Sequence, residues 1–325
     1  MEGPDRPVLS FVLPAHNEAG NLEKLGRRLV QVGEDLGRAF EIIWVNDGST
    51  DRTESILETM AARDGRIRPI HLSRNFGHMA ALTAGLESAR ATGAVVCLDS
   101  DGQHPPELIP DMVARWQRGG DIIQTVRIMS EDATLFKRAT SGLFYRLFKA
   151  LGGVDIPEGA ADFRLLDRQA VDALNSLPER VRFVRGLVFW VGFKVETLPY
   201  KASARLVGKS KYSTASMLRF ALSGITSFTS RPLRLAFPFG AVVTFCAACY
   251  ALYVLYCRLV GIPLVPGWTS TLLSILFLGG IQLMTLGVAS EYLASLYTEA
   301  KNRPLYLVRR RDAAARRAED ERDEQ

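Results

Sequence analysis

Through the first 130 residues, short apolar runs alternate with longer segments whose apolar positions recur every three or four residues. Val8–Leu13, Glu41–Val45, Arg68–Leu72, Ala94–Leu98 and Asp121–Val126 are strand-sized and rich in β-formers. Between the first two, Leu22, Leu25, Leu29 and Val32 mark one face of a helix. A second helix is predicted to open at Asp51, an N-cap with Glu54 three residues on, and to carry Ile56, Leu57 and Met60. This alternation predicts an α/β domain: a mostly parallel sheet with helices on both faces. Ligands of such folds sit beyond the carboxyl ends of the strands. The polar clusters fall there: Pro14-Ala-His-Asn-Glu18, Asn46-Asp-Gly-Ser49, Ser73-Arg-Asn-Phe-Gly77 and Asp99-Ser-Asp101.

Two later stretches break the pattern. Leu235–Cys257 holds 23 residues without a charge and Thr269–Ser290 another 22. A span needs ~20 apolar residues to cross ~30 Å of hydrocarbon. Neither stretch keeps the polar face of a buried core helix, so both are predicted to insert as a helical hairpin. The connection, Arg258–Trp268, is short and contains Pro263, Pro266 and Gly267. Arg231 and Arg234 precede the hairpin, and Lys301, Arg303 and Arg309–Arg311 follow it, against Arg258 alone at the tip. The positive-inside rule then places both flanks in the cytoplasm and the protein in the plasma (inner) membrane. No signal peptide is expected, because the first apolar run is strand-sized. Ser213–Ser230 reads as an amphipathic interfacial helix, or as an ordinary helix packed on the soluble domain. The expected organisation is a catalytic domain over 1–212, an interfacial helix over 213–232, a hairpin over 233–298 and a cytoplasmic tail over 299–325.

Composition narrows the class. The 325 residues are 47% hydrophobic and 23% charged, which excludes a disordered chain or a collagen-like fibre. The net charge of +5 arises from 32 Arg against 8 Lys, a bias that suggests a GC-rich genome more than a nucleic-acid partner. Cys97, Cys246, Cys249 and Cys257 are too few for a disulfide scaffold. The Cys246-x-x-Cys249 pair lies in an apolar run, where thiols pack as small hydrophobes. Neither GxGxxG after the first strand nor GxxxxGK[ST] is present, so a dehydrogenase and a P-loop kinase drop out.

Asp99 and Asp101 directly follow the apolar strand Ala94–Leu98. Two carboxylates one residue apart at a strand end can share a divalent cation with the phosphates of a nucleotide. Mg²⁺ and Mn²⁺ favour such oxygen ligands, and Gln103 could add another. A solvated turn is the plain alternative; the preceding strand and Pro105-Pro106 favour a site. Asp47 ends the second strand in the same way, suited to a nucleobase or ribose, and equally to the turn into the next helix.

Taken in order, Leu13-Pro-Ala-His-Asn-Glu18, Asn46-Asp-Gly-Ser-Thr-Asp51, Ser73-Arg-Asn-Phe-Gly77 and Asp99-Ser-Asp-Gly-Gln-His-Pro-Pro106 resemble the signature of family 2 glycosyltransferases with a GT-A fold. Lys137–Arg146, Ala161–Leu165, Gly208-Lys-Ser-Lys211 and the hairpin narrow the likeness to polyprenyl-phosphate glycosyltransferases, GtrB/ArnC-like and dolichyl-phosphate mannose synthase-like. Asn46 departs from relatives that carry a second Asp there. The resemblance implies a GT-A domain, Rossmann-like, followed by a two-helix transmembrane hairpin. It implies that Pro14, His16, Glu18, Asp47, Ser73, Asn75 and Gly77 line the nucleotide sugar. Arg205, Ser210 and Lys211 would form a loop closing over the diphosphate, and Asp99, Asp101 and Gln103 would hold Mg²⁺ or Mn²⁺. Arg127, Arg138 and Ser141 would bind the acceptor phosphate, chemistry that an arginine pair and a hydroxyl fit independently. Asp162 would stand beside the acceptor. The catalytic set is then Asp99, Asp101, Asp162, Arg127 and Arg138.

The implied reaction is inverting transfer of a hexose, with UDP-glucose the first choice of donor, to undecaprenyl or dolichyl phosphate. A phosphate monoester is mostly dianionic at neutral pH and needs no strong base, so Asp162 is expected to orient the acceptor rather than abstract a proton. The implied partners are the donor, the polyprenyl phosphate and the bilayer. Gly279, Gly280, Gly287 and Ala289 favour a homo-oligomer, with a tetramer as one form. Three readings compete: a GDP-mannose-dependent mannose synthase, a processive polysaccharide synthase (which would carry a QxxRW-type motif and more spans) and a catalytically silent nucleotide-sugar binder.

Overall fold

The computed structural model describes residues 7–128, 156–180, 182–201 and 267–309, with scattered positions between 233 and 260. The strands are β1 (Leu9–Ala15), β2 (Phe40–Asn46), β3 (Ile67–His71), β4 (Ala94–Cys97), β5 (Ile122–Arg127), β6 (Ala160–Asp167) and β7 (Val195–Tyr200). The helices are α1 (Leu22–Asp35), α2 (Thr53–Arg63), α3 (His78–Ser88), α4 (Ile109–Gln117), α5 (Arg168–Ser176), α6 (Val184–Trp190) and α7 (Trp268–Ala300).

The seven strands form one sheet in the order β3-β2-β1-β4-β6-β5-β7. β1 pairs in parallel with β2 and β4, β2 with β3, and β5 with β7, while β6 runs antiparallel between β4 and β5. Every residue of β1, β2 and β4 is buried, as expected for central strands covered on both faces. Alternation along β1 sends Leu9, Phe11 and Leu13 to the face covered by α1, α2 and α4, and Val12 to the face covered by α3, α5 and α6. The five predicted strands and the α1 stripe all form. The α2 boundary shifts slightly: Arg52 takes the cap position, and Asp51 Oδ1 accepts the Thr53 amide from one residue further out.

Strand order reverses between β1 and β4, and that switch point opens a crevice at their carboxyl ends. Because β6 runs the other way, its amino end reaches the same edge. The register Cys97↔Arg164, carried two residues along each strand, sets Asp99 across from Asp162. One rim thus collects the ends of β1, β2, β4 and β5 and the start of β6.

The helix α7 runs 33 residues and exposes Ile275, Phe277, Leu283, Met284 and Leu286. The described residues between 233 and 260 are helical and expose Phe245, Tyr250, Leu252 and Tyr253. Counting described residues only, no helix is long and apolar enough to cross a membrane. The uncharged run 269–290 includes positions, among them 272, 273 and 276, whose side chains lie outside that description. The sequence-predicted helix 213–230 lies outside the described residues altogether.

The β2–α2 turn depends on Gly48, which has φ +59° and approaches another backbone closely. A Cβ there would lie 2.4 Å from both the Arg74 carbonyl carbon and the Asn75 nitrogen. Gly48→Ala is expected to lower stability by ~1–3 kcal/mol, from the strained φ and the displaced 74–75 backbone together, as read by urea unfolding.

Candidate active site

The acidic loop after β4 is held by three bonds. The Asp99 amide donates to His104 Nδ1 at 3.0 Å, Ser100 Oγ donates to the Pro14 carbonyl at 2.6 Å, and the Gln103 amide donates to Asp101 Oδ1 at 3.0 Å. The first fixes a tautomer. Because His104 Nδ1 accepts, the neutral ring carries its proton on Nε2, 3.8 Å from Asp99 Oδ2. His104 is buried and stacks on Phe163 at 5.2 Å between ring centres. Pro14, expected beside the nucleotide, is buried and ties β1 to this loop through its carbonyl.

Asp99 Oδ1 is buried and makes no hydrogen bond among the described residues; His78 Nε2 lies 3.5 Å away. An orphaned carboxylate oxygen beside Asp101 and Gln103 fits a hard divalent cation. Among the described residues no group of three His, Cys, Asp or Glu could hold a metal ion. The fit is therefore to Mg²⁺ or Mn²⁺ bound by one or two carboxylates, with phosphate and water completing the shell. Arg127 is exposed at the end of β5 and reaches Gln103 Oε1 at 3.4 Å. Tyr200 closes the floor, its hydroxyl pushed up to about 12 by burial.

Across the crevice, Asp162 is only 8% exposed and held by two arginines. Its Oδ1 accepts from Arg164 Nη2 at 2.5 Å, and its Oδ2 from Arg185 Nη2 at 2.5 Å. Burial alone would raise its pKa, but the Arg185 and Arg164 guanidiniums outweigh burial and hold the carboxyl well below the usual range. Asp162 is thus held in its anionic form by two guanidiniums. Arg164 is fully buried, whereas the Arg185 side chain is 27% exposed. His78, the first residue of α3, stands between the two carboxylates, 3.5 Å from Asp99 and 3.8 Å from Asp162.

At the end of β2, Asp47 is buried with both oxygens in use: Oδ1 accepts the Phe76 amide at 2.7 Å and Oδ2 the Gly77 amide at 3.0 Å. Its carboxylate fixes the 73–77 loop. His16 Nδ1 donates to the Asp47 carbonyl at 2.8 Å, which leaves Nε2 to accept from Asn75 Nδ2 at 3.2 Å. Glu18 accepts from Asn21, and Ser73 is exposed at the start of its loop. Asn46, the departure from the family pattern, has a local reason. Its Nδ2 donates to His71 Nδ1 at 3.1 Å while its Oδ1 accepts the Ser49 amide at 3.0 Å. His71 Nε2 then donates to Glu58 Oε1 at 2.8 Å. An aspartate lacks that N–H and would require a second proton on His71.

The rim therefore brings together Pro14, His16, Asp47, Asn75, Gly77, Asp99, Asp101, Gln103, Arg127 and Asp162. Arg138, Ser141, Arg205, Ser210 and Lys211 lie outside the described residues. Sequence reasoning assigned no role to His78, His104, Arg164, Arg185 or Tyr200. For Arg164 a signal existed, since positions i and i+2 of a strand share a face and Asp162 was already singled out.

A family model described as glycosyl transferase family 2 matches residues 10–174. The chain belongs to this family. A second model, the GtrB C-terminal hairpin, matches 231–296. The chain is 40% identical over 301 residues to an uncharacterized glycosyltransferase, YkcC, of Bacillus subtilis (strain 168), covering 93% of each chain. It is 37% identical over 303 residues to the prophage bactoprenol glucosyl transferase homolog of Escherichia coli (strain K12), covering 93% of this chain and 98% of the relative. Among solved structures, glucosyl-3-phosphoglycerate synthase from Mycobacterium tuberculosis, in complex with Mn²⁺, UDP and phosphoglyceric acid, aligns at TM-score 0.49 and 19% identity, over 68% of this chain and 76% of that one. The GT-A reading rests on the sheet order, the strand-end carboxylates and family membership; so loose an alignment adds nothing to it. The protein is a glycosyltransferase with a GT-A domain and a GtrB-type C-terminal hairpin.

Removing Asp162 would leave Arg164 as an uncompensated buried charge. Asp162→Ala is expected to cost ~3–5 kcal/mol of stability, measured by denaturant unfolding; a loss under 1 kcal/mol would mean that the pair is dispensable.

Proposed function

We propose that this enzyme transfers glucose from UDP-glucose to a polyprenyl phosphate at the membrane surface, with inversion at the anomeric carbon. The observation that carries the reading is the mixture of charges collected at one rim: Asp99 lies opposite Asp162, which holds Arg185, and Arg127 reaches Gln103 of the acidic loop. Such a site suits two anionic substrates, one delivered with a cation and one drawn in by arginines. The names of relatives at 36–37% identity, bactoprenol glucosyl transferases of Shigella phages among them, support glucose and a bactoprenol-type acceptor.

In this reading Asp99, Asp101 and Gln103 hold the metal with the donor diphosphate. Mg²⁺ or Mn²⁺, when bound, neutralises the leaving diphosphate. A dianionic phosphate oxygen of the acceptor attacks C1 of the sugar, the C1–O bond to the diphosphate breaks, and UDP departs with that electron pair. The acceptor already carries its charge, so no side chain has to take a proton. Arg127 and Arg185 gather the attacking phosphate, and Asp162 fixes the Arg185 guanidinium in a water-poor setting where its charge acts most strongly. His16, Asn75 and Gly77 shape the donor edge, with Asp47 acting through the loop it holds. Arg138 and Ser141 complete the acceptor site, and Arg205, Ser210 and Lys211 close over the diphosphate.

The runs 235–257 and 269–290 then span the bilayer as a hairpin, with 213–232 at the interface and both flanks cytoplasmic. This keeps the crevice where a bilayer-bound lipid phosphate can reach it. Gly279, Gly280 and Gly287, where a Cβ would meet nothing within 4 Å among the described residues, leave room for close helix packing and support a homo-oligomer.

The direct test is transfer of radiolabelled glucose from UDP-glucose into butanol-extractable lipid. A chelator is expected to abolish it and Mn²⁺ to restore it, and Asp101→Ala to lower kcat/KM by at least ~10²-fold. Transfer that survives the chelator overturns the reading. Asp162→Asn and Arg185→Ala are expected to lower kcat/KM by similar factors, roughly 10- to 100-fold, with the double variant little worse than either. Full activity of Arg185→Ala beside an inactive Asp162→Asn would instead assign Asp162 as a base.

A further inference from the structure

We propose that residues 301–309, after the hairpin, form a strap that positions the donor-binding loop, with Tyr306 and Arg309 as its positioning residues. The strap lies beyond the segments matched by both family models, 10–174 and 231–296. This inference rests on the reading of Ser73–Gly77 as part of the donor site.

β3 is the outer strand of the sheet, so one row of its backbone groups has no strand neighbour. The strap covers the end of that edge. Leu72 and Val308 form an antiparallel bridge, flanked by bonds from the Ser73 amide to the Leu307 carbonyl at 2.8 Å and from the Arg309 amide to the His71 carbonyl at 2.7 Å. Side chains fasten it to a helix on either face. Tyr306 donates its hydroxyl to Glu87 of α3 at 2.5 Å and packs against the core cluster that also receives Phe76 and Met79. The Arg309 guanidinium bonds to Glu54 of α2. At the other end, Glu299 accepts the Arg180 amide at 2.8 Å, and Asn302 Oδ1 accepts from Arg180 Nη2 at 2.6 Å. The end of α7 is thus tied to the turn that precedes α6 and Arg185.

Ser73 is the first residue of the loop whose last two amides bind Asp47. The loop is therefore held at both ends, by Asp47 from within the sheet and by Leu307 from the strap. Between these holds, Arg74 and Asn75 are exposed, and Asn75 bonds to His16. The Leu307–Arg309 end of the strap bonds directly to β3 and to the first residue of the donor loop, so releasing that end acts first on the donor loop, while the Glu299 and Asn302 ties to Arg180 stay in place. The expected defect is confined to the donor.

The test uses the full chain in detergent or nanodiscs, with UDP-glucose as donor and undecaprenyl phosphate as acceptor. Arg309→Pro removes the backbone donor to His71 together with the guanidinium; Tyr306→Phe removes only the bond to Glu87. Each is expected to raise the KM for UDP-glucose and the Kd for UDP by about three- to tenfold, with kcat and the acceptor KM within about twofold of wild type. If Arg309→Pro does not fold, Tyr306→Phe and Arg309→Ala carry the test. Unchanged donor KM and UDP affinity in the folded variants overturns the strap, as does an equal rise in donor and acceptor KM. A wild-type chain that neither binds UDP nor transfers glucose would overturn the functional reading instead, a result that no strap variant can produce.

Discussion

The site is organised around the ion pair between Asp162 and Arg164 at the seam where β6 enters the sheet against the direction of β4. Arg164 is wholly buried, and such a charge persists only with a partner close by. Asp162 supplies it and, with its second oxygen, holds the more exposed Arg185. Two guanidiniums around one carboxylate leave this cluster with a net positive charge. Antiparallel register then brings Asp99 to the opposite side, and His78 spans the gap. The two carboxylates differ in what holds them: Asp99 Oδ1 has no hydrogen-bond partner among the described residues, whereas Asp162 is bonded by two arginines.

The donor edge follows a related rule, with a buried carboxylate spent on backbone amides. Asp47 uses both oxygens on the Phe76 and Gly77 amides, and Gly48 lets the two loops touch. Behind them, Asn46, His71 and Glu58 form a polar chain in which each group has a defined role as donor or acceptor. Satisfied networks of this kind resist rearrangement, because a broken link leaves a buried polar group unpaired.

Much of the fold was legible in the sequence because burial on both faces forces near-continuous apolar strands and a helical apolar stripe. β1 to β5 and α1 carry that signature, and the polar clusters at their ends mark the rim. β6 and β7 did not announce themselves in the same way: Ala160–Asp167 interleaves Asp162 and Arg164 with apolar residues, and Val195–Tyr200 is partly exposed. The hairpin segment, matched over 231–296, was legible for a different reason, as two long uncharged apolar runs.

Local sequence determined the strands, the turn glycines and the acidic loop, because each depends on residues within a few positions of one another. Arg185 pairs with a carboxylate 23 positions away, and Tyr306 with one 219 positions away. Strand order and the reversed direction of β6 decide such meetings, and no local pattern encodes them. So Asp162 could be read from sequence as a residue of the site, but its character as a permanently charged anchor could not. That character comes from two guanidiniums, delivered by β6 and α6, that meet one buried carboxylate.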